Sequence, residues 1–117
     1  KLVTYPRTDS QYITEDMEQS TMELLEVLPE ILPFLEGNMG YDVGRIINND
    51  KVSDHHALLP TKESVKKGFS QLTEKQRNLY CMIGQRLAQA VSKECTYEET
   101  QITVQCAGHE FMAKGSV

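Results

Sequence analysis

Apolar positions recur at helical spacing in two stretches of the chain and alternate with polar ones in a third. Met17, Thr21, Leu24, Leu25 and Leu28 share one face, which predicts a helix from an N-cap at Thr14 to about Leu28. Glu15 and Asp16 fall in its first turn, where carboxylates suit the helix dipole. Pro29 and Pro33 interrupt the pattern, so Ile31, Leu32, Phe34 and Leu35 are expected to pack as a short irregular turn or a second short helix. Gly37-Asn38-Met39-Gly40 reads as a loop. Asp42 is placed to cap a short helix carrying Val43, Ile46 and Ile47, with Arg45 projecting, and Asn48–Lys51 reads as a tight turn. Ala57-Leu58-Leu59, stopped by Pro60, predicts a small buried strand. Thr73-Glu74-Lys75-Gln76 is a capping box and starts the longest helix, to about Lys93. Its predicted apolar face is Leu79, Tyr80, Met82, Ile83, Leu87, Ala90 and Val91, with Arg77 and Arg86 at the surface. From Tyr97 the period becomes two: Thr100, Ile102, Val104 and Cys106 predict a half-buried strand. Ala107-Gly108-His109-Glu110 turns the chain, and Phe111–Val117 returns. An isolated hairpin is marginal in water, so these strands are expected to join a larger sheet. The predicted class is α+β, mainly helical.

Composition narrows this further. A chain of 117 residues, 39% hydrophobic and 25% charged, reads as one soluble globular domain, or one domain plus a piece of another. No apolar run approaches a membrane span and no signal peptide is visible. The absence of Met at Lys1, and the Lys114–Val117 end, suggest a segment of a longer protein. A net charge of −5 argues against strong autonomous binding to DNA, because non-specific affinity comes from neutralising phosphates. A nucleic-acid role would then need a local basic patch or cationic neighbours. Lys62, Lys66 and Lys67 form the one basic cluster; it reads as a solvated face, with phosphate contact the sharper alternative. Cys81, Cys95 and Cys106 are odd in number and lack metal-type spacing, so they read as reduced, buried thiols.

The densest chemistry lies in Thr4-Tyr5-Pro6-Arg7-Thr8-Asp9-Ser10: a phenol, a guanidinium, a carboxylate and three hydroxyls. Pro6 pushes Tyr5 away from the helical region. In extended backbone Tyr5 and Arg7, two apart, point to the same side. A phenol can attack phosphorus while a guanidinium grips the non-bridging oxygens. A free phenol has a pKa near ~10, so attack at neutral pH needs a base or a nearby cation. The plainer reading of the same residues is a buried Tyr, a surface Arg and a capped turn. His55 and His56 are adjacent, so in extended backbone only one faces a given site. They lack a third ligand at metal spacing, and no metal site is expected in this chain. Asp54 is expected to cap or to hydrogen-bond a histidine.

The TYPRTDS stretch resembles the active-site tyrosine motif of type IA DNA topoisomerases, in particular their topoisomerase III-like branch. Ser53-Asp54-His55-His56-Ala57-Leu58-Leu59-Pro60-Thr61 is similar to the family's histidine motif, and the two blocks stand in the family's order. The resemblance covers nearly the whole chain, yet the chain would be only a segment of such an enzyme. It implies that Tyr5 forms a 5′-phosphotyrosine intermediate, with Arg7 as catalytic partner and Arg7, His55 and Thr8 as DNA phosphate contacts. It further implies a compact, winged-helix-related tyrosine domain over 1–91, with 92–117 as the first strands of an adjacent β domain, the arch. Mg²⁺ and the acidic residues that hold it would belong to a nucleotidyl-transfer domain outside this chain, so the segment alone is expected to be inactive. The implied partners are single-stranded DNA and the rest of the same polypeptide, with no membrane, in a cytoplasmic, nucleoid-associated protein. The alternative from another class is a non-catalytic helical nucleic-acid- or protein-binding module using Lys62, Lys66 and Lys67, with Tyr5 buried.

Overall fold

The computed structural model describes residues 1–37 and 40–117, and within these it is mixed α+β. Three α-helices appear among the described residues: α1 (Glu18–Val27), α2 (Lys62–Lys67) and α3 (Glu74–Val91). An antiparallel hairpin follows, β1 (Glu99–Cys106) and β2 (His109–Ser116). Short 3-10 turns link these elements at Glu15–Met17, Leu28–Glu30, Pro33–Leu35, Val43–Ile46 and Asn49–Lys51. The expected loop at Gly37–Gly40 falls partly on Asn38 and Met39, outside the described residues.

Helix α1 follows its periodicity: Thr21, Leu24, Leu25 and then Leu28 are buried. Its start differs from expectation. The Thr14 hydroxyl makes no cap bond, and the Glu15 N–H donates instead to Asn49 Oδ1 at 2.8 Å. A distant amide thus satisfies an orphan donor that the local residue leaves open. Asp42 does cap its turn, accepting from the Gly44 N–H at 3.0 Å. The prolines produce 3-10 turns as expected, but Phe34 points outward at 55% exposure while Leu32 and Leu35 pack inward. The Lys62, Lys66 and Lys67 cluster lies on a short helix, α2, that the apolar periodicity does not predict; Thr61 caps it by accepting from the Ser64 N–H.

Helix α3 begins with the reciprocal Thr73–Gln76 capping box and ends at Val91. Its buried face is Tyr80, Gly84, Leu87, Ala88 and Val91. The predicted face was too wide: Leu79 is 58% and Met82 66% exposed, and Ala90 is exposed too. Gly84 explains the shift. It lets the helix approach closely, since a Cβ there would lie 2.4 Å from Leu32 Cδ1. Leu28 and Leu32 then fill the space against α3, each almost fully buried and worth roughly 1.5–3 kcal/mol of transfer free energy.

Tyr80 lies in the same interior, 3% exposed, with its ring edge against Phe69. Ser64 spends its hydrogen on the Thr61 carbonyl, so the Tyr80 hydroxyl donates to Ser64 Oγ. Burial pushes the Tyr80 phenol above its usual range, partly offset by that bond. Cys81 is half-buried, but Cys95 and Cys106 are exposed, against the expectation that all three are buried; all are free thiols.

The hairpin turns through Ala107 and Gly108, both at positive φ, with Cys106 paired to His109. His109 therefore opens β2 instead of sitting in the turn. Every residue of both strands is exposed, not half-buried as the alternation suggested, because no described element packs over either face. No described helix is long and apolar enough to cross a membrane.

Gly84→Ala sets a helix-propensity gain of ~1 kcal/mol against overpacking of ~1–3 kcal/mol on Leu32. The expected result is a net loss on the order of 1 kcal/mol and a Tm about 4 °C lower by calorimetry; an unchanged or higher Tm would show that Leu32 yields freely. The raised Tyr80 pKa favours the neutral phenol in the fold. Its contribution is complete below the unfolded value near ~10 and is lost as pH climbs from there through the higher folded value. Urea midpoints measured at and above that pH should fall less steeply for Tyr80→Phe than for the parent chain.

Candidate active site

Two segments far apart in sequence are stitched side by side to build the groove. The Thr4 N–H donates to the Leu59 carbonyl at 2.8 Å, and the Leu59 N–H returns to Thr4 Oγ1 at 2.9 Å. Val3 bridges to Pro60, and the Thr61 N–H donates to the Leu2 carbonyl. Further along, the Ala57 N–H donates to the Tyr12 carbonyl at 2.8 Å. Ile13, fully buried, accepts from the Asn48 N–H and donates to the Ile46 carbonyl. The Ala57–Leu59 strand foreseen from its apolar run is therefore absent. Its backbone groups pair one by one with residues 4–12, partly through a side chain, and form no regular ladder.

This stitching sets Tyr5 against His55. Their ring centroids are 4.3 Å apart with planes 29° from parallel, a stacked pair worth roughly 0.5–1.5 kcal/mol. Tyr5 is 51% exposed, so the phenol is not enclosed in the core. Tyr5, Arg7, Thr8, Asp9, Ser10, Lys51, Ser53, Asp54 and His55 line one open groove of about 490 Å³. All four residues singled out from the sequence, Tyr5, Arg7, Thr8 and His55, meet there. His56 does not: its Nδ1 lies 2.7 Å from the Ala57 carbonyl, which can only accept, so that nitrogen carries the proton. The adjacent histidines diverge as extended backbone requires.

Thr8 ties the two segments at the groove itself. Its hydroxyl donates to the His55 carbonyl at 3.3 Å and accepts from the Ser10 N–H at 3.1 Å. Ser10 Oγ donates to the Lys51 carbonyl at 2.7 Å. Asp54 hydrogen-bonds neither histidine among the described residues and lines the groove instead. Lys51 was missed as a site residue. The signal that brings it in is the Ser10–Lys51 bond, which spans 41 residues and leaves no local pattern. The basic cluster elsewhere is partly neutralised: Lys62 pairs with Glu23 and Lys67 with Glu63, and both carboxyls are held below the usual range, chiefly by those lysines. It reads as the solvated face expected.

A larger hollow of about 570 Å³ lies beside α3, between Leu58, Leu79, Met82 and Arg86, and holds none of those four residues. Its walls are mostly apolar, whereas the smaller groove is polar and holds all four residues singled out from the sequence. Among the described residues no group of three or more His, Cys, Asp or Glu is placed to hold a metal ion.

Fold and groove together define an α+β segment that presents a tyrosine, an arginine and a histidine from one exposed cleft. The family model described as DNA topoisomerase matches residues 1–117. The chain is 36% identical over 126 residues to DNA topoisomerase 3 of Bacillus subtilis (strain 168), covering 98% of this chain and 16% of that protein. It is 37% identical over 123 residues to DNA topoisomerase 3 of Staphylococcus aureus (strain NCTC 8325 / PS 47), covering 100% of this chain and 17% of that protein. The chain belongs to the DNA topoisomerase family, in its type IA branch. It spans about a sixth of the length of these relatives.

Thr4→Val keeps the shape and removes the acceptor for the Leu59 N–H. A partly buried donor left unmade costs about 1–3 kcal/mol. Thermal unfolding should register that loss, and NMR should show His55 ring protons moving toward random-coil shifts as the Tyr5 stack loosens. Unchanged stability and shifts would mean that this bond does not hold the groove together.

Proposed function

We propose that the parent protein cleaves and rejoins one strand of single-stranded DNA, with this chain supplying the tyrosine. The Tyr5 hydroxyl attacks phosphorus and forms a phosphate ester, and the bond from phosphorus to the 3′ oxygen breaks. The phenol's proton passes to a base or to water, and the departing oxygen gains a proton to become a 3′-hydroxyl. Reversal rejoins the strand. The ester retains the energy of the broken bond, so relaxation or decatenation needs no ATP. Arg7 would grip the non-bridging oxygens, where charge builds as the ester forms. His55 would hydrogen-bond the same phosphate while its ring fixes the plane of Tyr5. The Thr8 hydroxyl is a rotor on a long bond and can turn toward a phosphate oxygen.

One observation carries this reading: Tyr5 is exposed and stacked on His55 in a groove that Arg7 also lines. The rival, a non-catalytic binding module, would bury Tyr5 and use Lys62, Lys66 and Lys67. Ion pairs on Lys62 and Lys67 weaken its basic surface.

The rest of the reading follows the family. We assign residues 1–91 to a tyrosine domain of winged-helix kin and 92–117 to the start of the arch. The uniformly exposed hairpin, with Ile102, Val104 and Phe111 uncovered, supports strands that continue into a neighbouring sheet. Mg²⁺ would assist at residues of a nucleotidyl-transfer domain outside this chain, and the chain alone would be inactive. The working partners are then single-stranded DNA and the remaining polypeptide, in the cytoplasm beside the nucleoid.

Full-length protein incubated with a labelled oligonucleotide and quenched in detergent should retain label covalently. Tyr5→Phe should abolish the adduct, and Arg7→Ala should slow its formation by roughly 10²–10³. An adduct that survives Tyr5→Phe sinks the assignment.

A further inference from the structure

The tyrosine groove is balanced on a single lysine. Its walls carry two fixed cations, Arg7 and Lys51, against two carboxylates, Asp9 and Asp54. Without Lys51 the walls would lean negative, on a chain already at −5, and would repel a phosphodiester.

Lys51 is also held for the purpose. It ends the Asn49–Lys51 turn, and its carbonyl accepts from Ser10 Oγ on the segment that carries Tyr5 and Arg7. Asn49 pins the other side of the turn by accepting from the Glu15 N–H. The backbone is fixed from both sides while the ammonium stays exposed, 5.1 Å from the centroid of the Tyr12 ring. An exposed cation–π contact is worth only ~0.5–1 kcal/mol, so the ammonium can leave it for a phosphate. Tyr12 lines the apolar hollow beside α3, which puts Lys51 at the border between the two recesses.

We infer that Lys51 is a DNA-binding residue of this groove, holding a phosphate that flanks the one Tyr5 attacks. This rests on the reading of the groove as a single-stranded DNA site. A lysine at this place acts as a point charge and does not read bases.

The test is equilibrium binding of a fluorescein-labelled single-stranded oligonucleotide to the full-length protein, followed between about 50 and 200 mM salt. Lys51→Gln should weaken binding and make the slope of log K against log salt shallower by about 0.7, the value for one single-strand phosphate contact. Lys51→Arg should restore the slope. Lys75→Gln, an exposed lysine on α3 away from the groove, should leave it unchanged. A scan of single neutral methylphosphonate linkages should find one position, next to the cleavage site, that weakens the parent protein but not Lys51→Gln. The inference is overturned if Lys51→Gln keeps the parent slope, if Lys75→Gln flattens it equally, or if the position found is the cleaved one. A flattened slope without any Tyr5-dependent adduct would keep the Lys51 contact and remove the cleavage reading, so the two fail separately.

Discussion

Everything at the groove depends on the pairing of residues 2–13 with residues 46–61. Backbone amides and carbonyls there must find partners once the chain compacts, and they find them between residues as far apart as Leu2 and Thr61. Thr4 gives the clearest case, since one residue both donates to and accepts from Leu59, through its amide and its hydroxyl. Ile13 anchors the far end, fully buried while bonded to Ile46 and Asn48. Between those two anchors the chain from Tyr5 to Ser10 crosses the surface, and the loop from Lys51 to His55 lies opposite. The phenol and imidazole meet because the backbones on either side of them cannot slide.

That arrangement separates stability from chemistry. The apolar groups that hold the fold, such as Leu28, Leu32, Leu87 and Val91, are buried and take no part in lining the groove, and the residues that do line it are mostly exposed. A groove of this kind is accessible to a polymer passing over the surface, which suits a strand of nucleic acid better than an enclosed small molecule. It carries no surplus of fixed positive charge, so affinity for DNA would come largely from surfaces elsewhere in the polypeptide. Under the proposed function its contribution would be positional: a nucleophile, a phosphate grip and a flanking cation in fixed relation.

The outward faces of α3 and the hairpin follow the same logic. Leu79, Met82, Phe111 and Met112 lie open in a chain that spans about a sixth of its relatives. Apolar side chains at helical or strand spacing ordinarily mark a buried face. Here the spacing identified amphipathic elements correctly and assigned the α3 face only in part. Burial is decided by what packs opposite, and Gly84 draws Leu32 to one side of α3 and leaves the other bare.

Much of this protein was legible in its residues alone. Helical spacing located α1 and α3, Thr73 and Gln76 placed the start of α3, and alternation located the hairpin, because these depend on contacts within a few positions. The tyrosine and histidine motifs identified the family, and Pro6 and the adjacent histidines constrained which side chains could face a common cleft. Tertiary structure alone decided that Asn49 caps the 3-10 turn leading into α1, that Ala57–Leu59 forms no strand, and that Lys51 joins the groove. Those outcomes turn on hydrogen bonds between groups more than thirty residues apart. Such partners are chosen by which backbone groups remain unsatisfied after the core has packed, and no short window of sequence contains that information.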